Sequence, residues 1–94
     1  MDEPIFESSG NVFADLELEP AEATVLYMRA RLMSDLRLFI QSSGMTQTEA
    51  AEKLGIAQSR VSDLVRGKLE KFSLEMLVIL EARAGRKVTL ELAA

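Results

Sequence analysis

Apolar residues recur at three- and four-residue steps from Val25 to Ile40, through Met28, Leu32, Leu36 and Phe39. That spacing predicts an amphipathic helix. Pro20 suits its first turn, and Gly44 marks its end. Leu26, Tyr27, Met33 and Leu38 widen the stripe past one face. The helix is therefore expected to pack on more than the core of its own domain. Gly55, Gly67 and Gly85 punctuate the rest of the body into three more helical segments.

The second and third segments lie in Thr46 to Gly67, TQTEAAEKLGIAQSRVSDLVRG. Thr46 can cap the first of them, with Glu49 three residues on completing a capping box. Ala51 and Leu54 are expected to face inward. Gly55 follows and can take the left-handed conformation that ends a helix. Ile56 fills the corner, and Val61 and Leu64, three apart, form the buried face of the second helix. Its exposed side chains are then Gln58, Ser59, Arg60, Ser62, Asp63 and Arg66, all able to hydrogen-bond. A helix that reads a DNA major groove needs that arrangement.

After the linker KLEKF, Ser73 is a plausible N-cap for LEMLVILEARA, with Glu75 in the first turn and Arg83 in the last. Leu74, Leu77, Val78 and Ile79 cover most of that helix, which predicts deep burial. Phe72 is placed to staple against Met76 or Leu77, with base stacking as the less economical role. Beyond Gly85 the period changes. Val88, Leu90 and Leu92 alternate with Thr89 and Glu91, the pattern of a half-buried strand. A single strand in a helical domain has two unpaired edges. Pairing with the same strand of a second copy about a two-fold axis resolves this; the alternative is a frayed tail.

Composition bounds the reading. Ninety-four residues, 48% of them hydrophobic and 28% charged, make one small folded domain. No apolar run approaches the ~20 residues of a membrane span. The start, MDEPIFESSG, lacks the basic region of a secretory signal, as expected of a cytoplasmic protein. There is no Cys and no His. That removes thiolate chemistry, zinc-thiolate sites and the commonest general base, so neither enzyme, metal nor cofactor is expected.

The net charge of −4 argues at first against a nucleic-acid partner, but its distribution reverses the argument. Residues 1–19 hold six acids and no base, whereas Arg29 to Lys71 holds eight bases against five acids. Arg60, Arg66, Lys68 and Lys71 fall in or just after the proposed reading helix, where phosphates would lie. The chain divides into an acidic, partly flexible segment (1–19), a helix-turn-helix domain (20–85) and a C-terminal strand for dimerisation (86–94). Within the first segment Val12, Phe13, Leu16 and Leu18 are interleaved with Asp15 and Glu17. Such a segment orders on a partner, or caps the first helix through Phe13 and Leu16.

The two-helix unit resembles that of the Xre and phage-repressor class. The fold expected is therefore all-α and lambda-repressor-like, with the short C-terminal strand appended. GNVFADLEL, the long helix, MTQTEAAEKLGIAQSRVSDLVRGKLEKFSLEML and GRKVTLEL together resemble the small Xre-type antitoxins associated with RelE- and HigB-like toxins. The likeness spans residues 10–92; Glu17 departs from it, standing where that pattern has Gly. The resemblance implies a dimer that represses its own operon and binds a basic mRNA-cleaving toxin, with Val12, Phe13, Asp15, Leu16 and Leu18 as toxin contacts. It also implies that Thr46 contacts phosphate and Gln47 braces the register. Gln58, Ser59 and Asp63 would occupy reading positions, Arg60 would take guanine or phosphate, and Arg66 and Lys68 would take phosphates. Asp63 can instead pair with Arg60 or Arg66 across a helical turn. Two other readings stand beside this one: a free-standing regulator without a toxin, and a protein-interaction module using the helix-turn-helix as scaffold.

Overall fold

A computed structural model describes residues 19–94. Four helices follow in order: α1 (Pro20–Ser43), α2 (Gln47–Leu54), α3 (Gln58–Val65) and α4 (Leu74–Arg83), with a single 3-10 turn at Leu69–Lys71 between α3 and α4. The long α1 packs along α4 and also touches α3 and the 3-10 turn, while α2 packs on α3 and α4. No helix among the described residues is long and apolar enough to cross a membrane.

The local signals act as the sequence predicts. Pro20 opens α1, and Glu22 accepts from the Glu19 N–H at 3.3 Å. Thr46 Oγ1 accepts from Glu49 N–H at 3.1 Å and Glu49 Oε1 accepts from Thr46 N–H at 2.9 Å, so the capping box is closed. Ser73 caps α4 by accepting from Met76 N–H at 3.0 Å. Gly55 has φ +70, and its N–H donates to Ala51 O at 2.8 Å. A Cβ there would also lie 3.2 Å from Arg83 Nη1, so strain and crowding both favour glycine.

One core joins all four helices: Met33, Leu36 and Ile40 from α1, Ala50 and Leu54 from α2, Val61 and Leu64 from α3, and Phe72, Leu77, Leu80 and Ala84 around α4. Phe72 is fully buried, so it packs in the core and is not available for stacking on bases. Ala51 packs half-buried against the core as expected, and Ala50 beside it is fully buried. Two expectations are corrected. On α4, Val78 is exposed, and the buried face runs through Leu77, Leu80, Glu81 and Ala84. Glu81, at 2% exposure, is the buried charged residue among those described.

The second correction concerns residues 86–94, which form no strand. A strand needs a neighbour to hydrogen-bond, and the helical body offers none. Val88, Leu90 and Leu92 stand 44%, 82% and 87% exposed. The segment is anchored at its root, where Arg86 N–H donates to Glu81 O at 2.9 Å and Arg86 Nη2 meets Asp35 Oδ1 at 2.7 Å. On α1, Val25, Met28 and Leu38 are likewise exposed, so part of the wide apolar stripe lies outside the core.

Candidate nucleic-acid interface

The unit α2–Gly55–α3 fixes where the polar side chains stand. Val61 and Leu64 are fully buried and hold α3 by one face. Gln58, Ser59 and Arg66 are exposed on the other side, and Ser62 and Asp63 are half-buried beside them. Thr46 is exposed at the start of α2, next to half-buried Gln47. The Thr46 hydroxyl already accepts from Glu49 N–H, leaving its own hydrogen to donate. By contrast, α3 starts at Ala57, whose side chain cannot cap, and its first turn holds no acid. Its leading N–H groups therefore have no local side-chain acceptor.

Asp63 does not pair with Arg60 or Arg66. Its carboxylate lies 4.0 Å from Lys68 Nζ, and Lys68 N–H donates to the Asp63 carbonyl at 3.0 Å. This is a long contact with Lys68 half-exposed, so both groups remain reachable by a ligand.

The arginines follow a rule that the sequence reading missed. Arg83 Nη1 donates to Leu54 O at 3.0 Å, at the end of α2. Arg37 Nε donates to Val65 O at 3.1 Å, at the end of α3. Arg60 Nη2 and Arg29 Nη1 donate to the adjacent carbonyls of Lys71 and Phe72, each at 3.1 Å. Helix ends leave carbonyls without partners, and a guanidinium satisfies them while placing positive charge at the negative end of the dipole. The usable signal is that each helix end needs donors; which distant arginine supplies them is set by tertiary geometry. Arg60 is further committed, with its guanidinium carbon 4.5 Å from the centroid of the Phe72 ring. The exposed cations near the C-terminal end of α3 are Arg66 and Lys71, with Lys68 half-buried.

The geometry defines a helix-turn-helix: a capped helix, a left-handed glycine corner, and a second helix with a buried apolar face and a polar outer edge. A family of helix-turn-helix domains matches residues 12–93, and the chain belongs to it. No curated protein matches the chain. The partner this fold implies is DNA, since the second helix of such a unit enters the major groove. Val12, Phe13, Asp15, Leu16 and Leu18 lie outside the described residues.

Proposed function

We propose that this protein is a sequence-specific DNA-binding transcriptional regulator that acts as a two-fold dimer. We further infer that it is the antitoxin of a pair, repressing its own operon and neutralising a basic mRNA-cleaving toxin. The observation that carries the DNA reading is the exposed polar edge of α3, Gln58 and Ser59 with Ser62 and Asp63, set beside Arg66, Lys68 and Lys71. Gln58 has the donor and acceptor to pair with adenine, and Asp63 can accept from a cytosine amino group. Thr46 and Gln47 at the start of α2 serve phosphate contact and register.

Support for the dimer comes from the exposed apolar row Val88, Leu90 and Leu92, which belongs to no strand among the described residues and alternates with polar positions as a paired strand would. Two helix-turn-helix units about a two-fold axis then meet half-sites about one helical turn apart. Support for the antitoxin role is the sequence resemblance together with six acids and no base in residues 1–19. An acidic, apolar segment complements the positive cleft that an RNA-cleaving enzyme presents.

The test has two arms. Enrichment of a random duplex pool on the full chain, followed by mobility shift, is expected to return a palindrome. Coexpression with the product of the neighbouring reading frame is expected to yield a complex that is lost when residues 1–19 are removed. A chain that enriches no duplex sequence refutes the first reading. One that reads DNA but binds no neighbour product is a free-standing regulator.

A further inference from the structure

Arg60 occupies the third position of α3, in the turn that carries Gln58 and Ser59. That turn has no side-chain cap, because Ala57 cannot accept a hydrogen bond through its methyl group. Buried Val61 and the Ala57 carbonyl, which accepts from the Arg60 and Val61 N–H groups, hold it locally, and the Arg60 side chain ties it to a distant part of the fold. The Arg60 guanidinium lies 4.5 Å over the Phe72 ring, and its Nη2 donates to Lys71 O at 3.1 Å. Its Nε is buried without a hydrogen-bond partner, so the tie rests on the ring contact and the Nη2 hydrogen bond alone. Phe72 in turn is fixed from the opposite side: its ring is in the core, and its carbonyl accepts from Arg29 on α1. The ring cannot follow Arg60 outward. For Arg60 to reach a base or phosphate, it must give up both the stacking and the hydrogen bond. Both contacts oppose the outward state.

We propose that Arg60 is a positioning residue of the reading surface, fixing the first turn of α3 against Phe72 and the Lys71 carbonyl and contacting no nucleotide itself. This rests on the DNA-binding reading above and narrows it: base readout falls to Gln58, Ser59 and Asp63. Arg60 sets their approach to the groove, so its loss weakens all sequences by one factor.

The experiment takes the duplex enriched by the full chain and every single-base variant of it. Binding is measured for wild type, Arg60→Met and Arg60→Lys. Arg60→Met is expected to lose about tenfold on each duplex alike, with an unchanged salt slope. Arg60→Lys keeps a point charge but not the planar fork, so it should fall with Arg60→Met, whereas a phosphate contact would be largely retained by lysine. Phe72→Leu should reproduce the uniform loss from a position buried in the core. Relaxed preference at one base pair, or a salt slope lower by about one, overturns the proposal. Amide hydrogen exchange reads the same tie without DNA. Val61 N–H donates to Ala57 O at 3.1 Å, and its exchange should quicken in Arg60→Met while the amides of α4 hold. Unchanged exchange at Val61 overturns the positioning role; an unenriched duplex pool overturns only the DNA reading.

Discussion

Glu81 should make this protein less stable as pH rises through neutrality, and Glu81→Gln should remove that dependence. The side chain is 2% exposed, and its Oε1 has no hydrogen-bond partner. Burial, then a hydrogen bond with Asp35 and the negative charge of Asp35, push its pKa from the usual 4.5 up to about 7, with Arg86 opposing. The folded protein therefore holds a proton on Glu81 between about pH 4.5 and 7 that the unfolded chain has released. Where the native state binds more protons, stability falls as pH rises. The cost is absent below pH 4.5, grows across that window and is complete above pH 7. A shift of this size corresponds to roughly 3 kcal/mol at 1.36 kcal/mol per pKa unit. Glutamine keeps the shape, donates to Asp35 and cannot ionise. At pH 8 the variant should exceed wild type by roughly 2–3 kcal/mol, or on the order of 10–20 °C in Tm for a domain of this size. At pH 5 and below the two should agree to within about 1 kcal/mol. Urea unfolding of both proteins at several pH values gives the difference curve, in which titrating groups that do not interact with Glu81 cancel. A difference that stays flat from pH 5 to 8 would mean that Glu81 ionises normally in the fold, and the reasoning from its burial would be wrong.

Gly55→Ala should destabilise by about 1–2 kcal/mol in chemical denaturation, because alanine is strained at positive φ and its Cβ crowds Arg83; a neutral result would show that the corner can relax. Deleting residues 87–94 should convert the proposed dimer to monomer in sedimentation and weaken a palindrome far more than a half-site, while an unchanged dimer moves the interface to the exposed side of α1. On a half-site duplex, the plot of log affinity against log salt should have a slope of roughly −3. That value follows from the three cations beside α3, Arg66, Lys68 and Lys71. A slope near −7, the value for eight bases, would show that the inward arginines turn out to meet phosphate.

The parts of the fold that read directly from sequence are those decided within one helical turn. Thr46 with Glu49, Gly55, and Ser73 each act on groups three or four residues away, so residue type and spacing suffice. Errors begin where a distant element decides. Ala50 and Ala51 lie four and three residues before Leu54 and share its face; both meet the core, and that Ala50 is the deeper of the two depends on where the rest of the core approaches. Glu81 falls on the stripe of Leu77, Leu80 and Ala84, so periodicity does place it inward. Its charge argues for the surface, and only its pairing with Asp35 of α1 reconciles the two. The alternation of Val88, Leu90 and Leu92 is plain, but a strand exists only with a partner, and no single chain's pattern supplies one.

The candidate interface shows the same division in its charges. A count from Arg29 to Lys71 treats eight bases as one patch. The fold sorts them by geometry. Arg29, Arg37 and Arg60 turn to backbone carbonyls, and Arg31 lies at a cavity of about 520 Å³ beside Asp35 and Arg86. Arg66, Lys68 and Lys71 remain beside the end of α3. Arginine suits the inward task because its planar fork can satisfy a carbonyl while its stem and face pack on apolar surface, as Arg60 does on Phe72. Lysine suits the outward one as a hydrated point charge on a flexible stem. The same formal charge thus does two jobs, joining helix ends inside and, in the proposed reading, meeting phosphate outside. An overall acidic chain can carry a DNA-reading surface because the cations that count are the few left facing out.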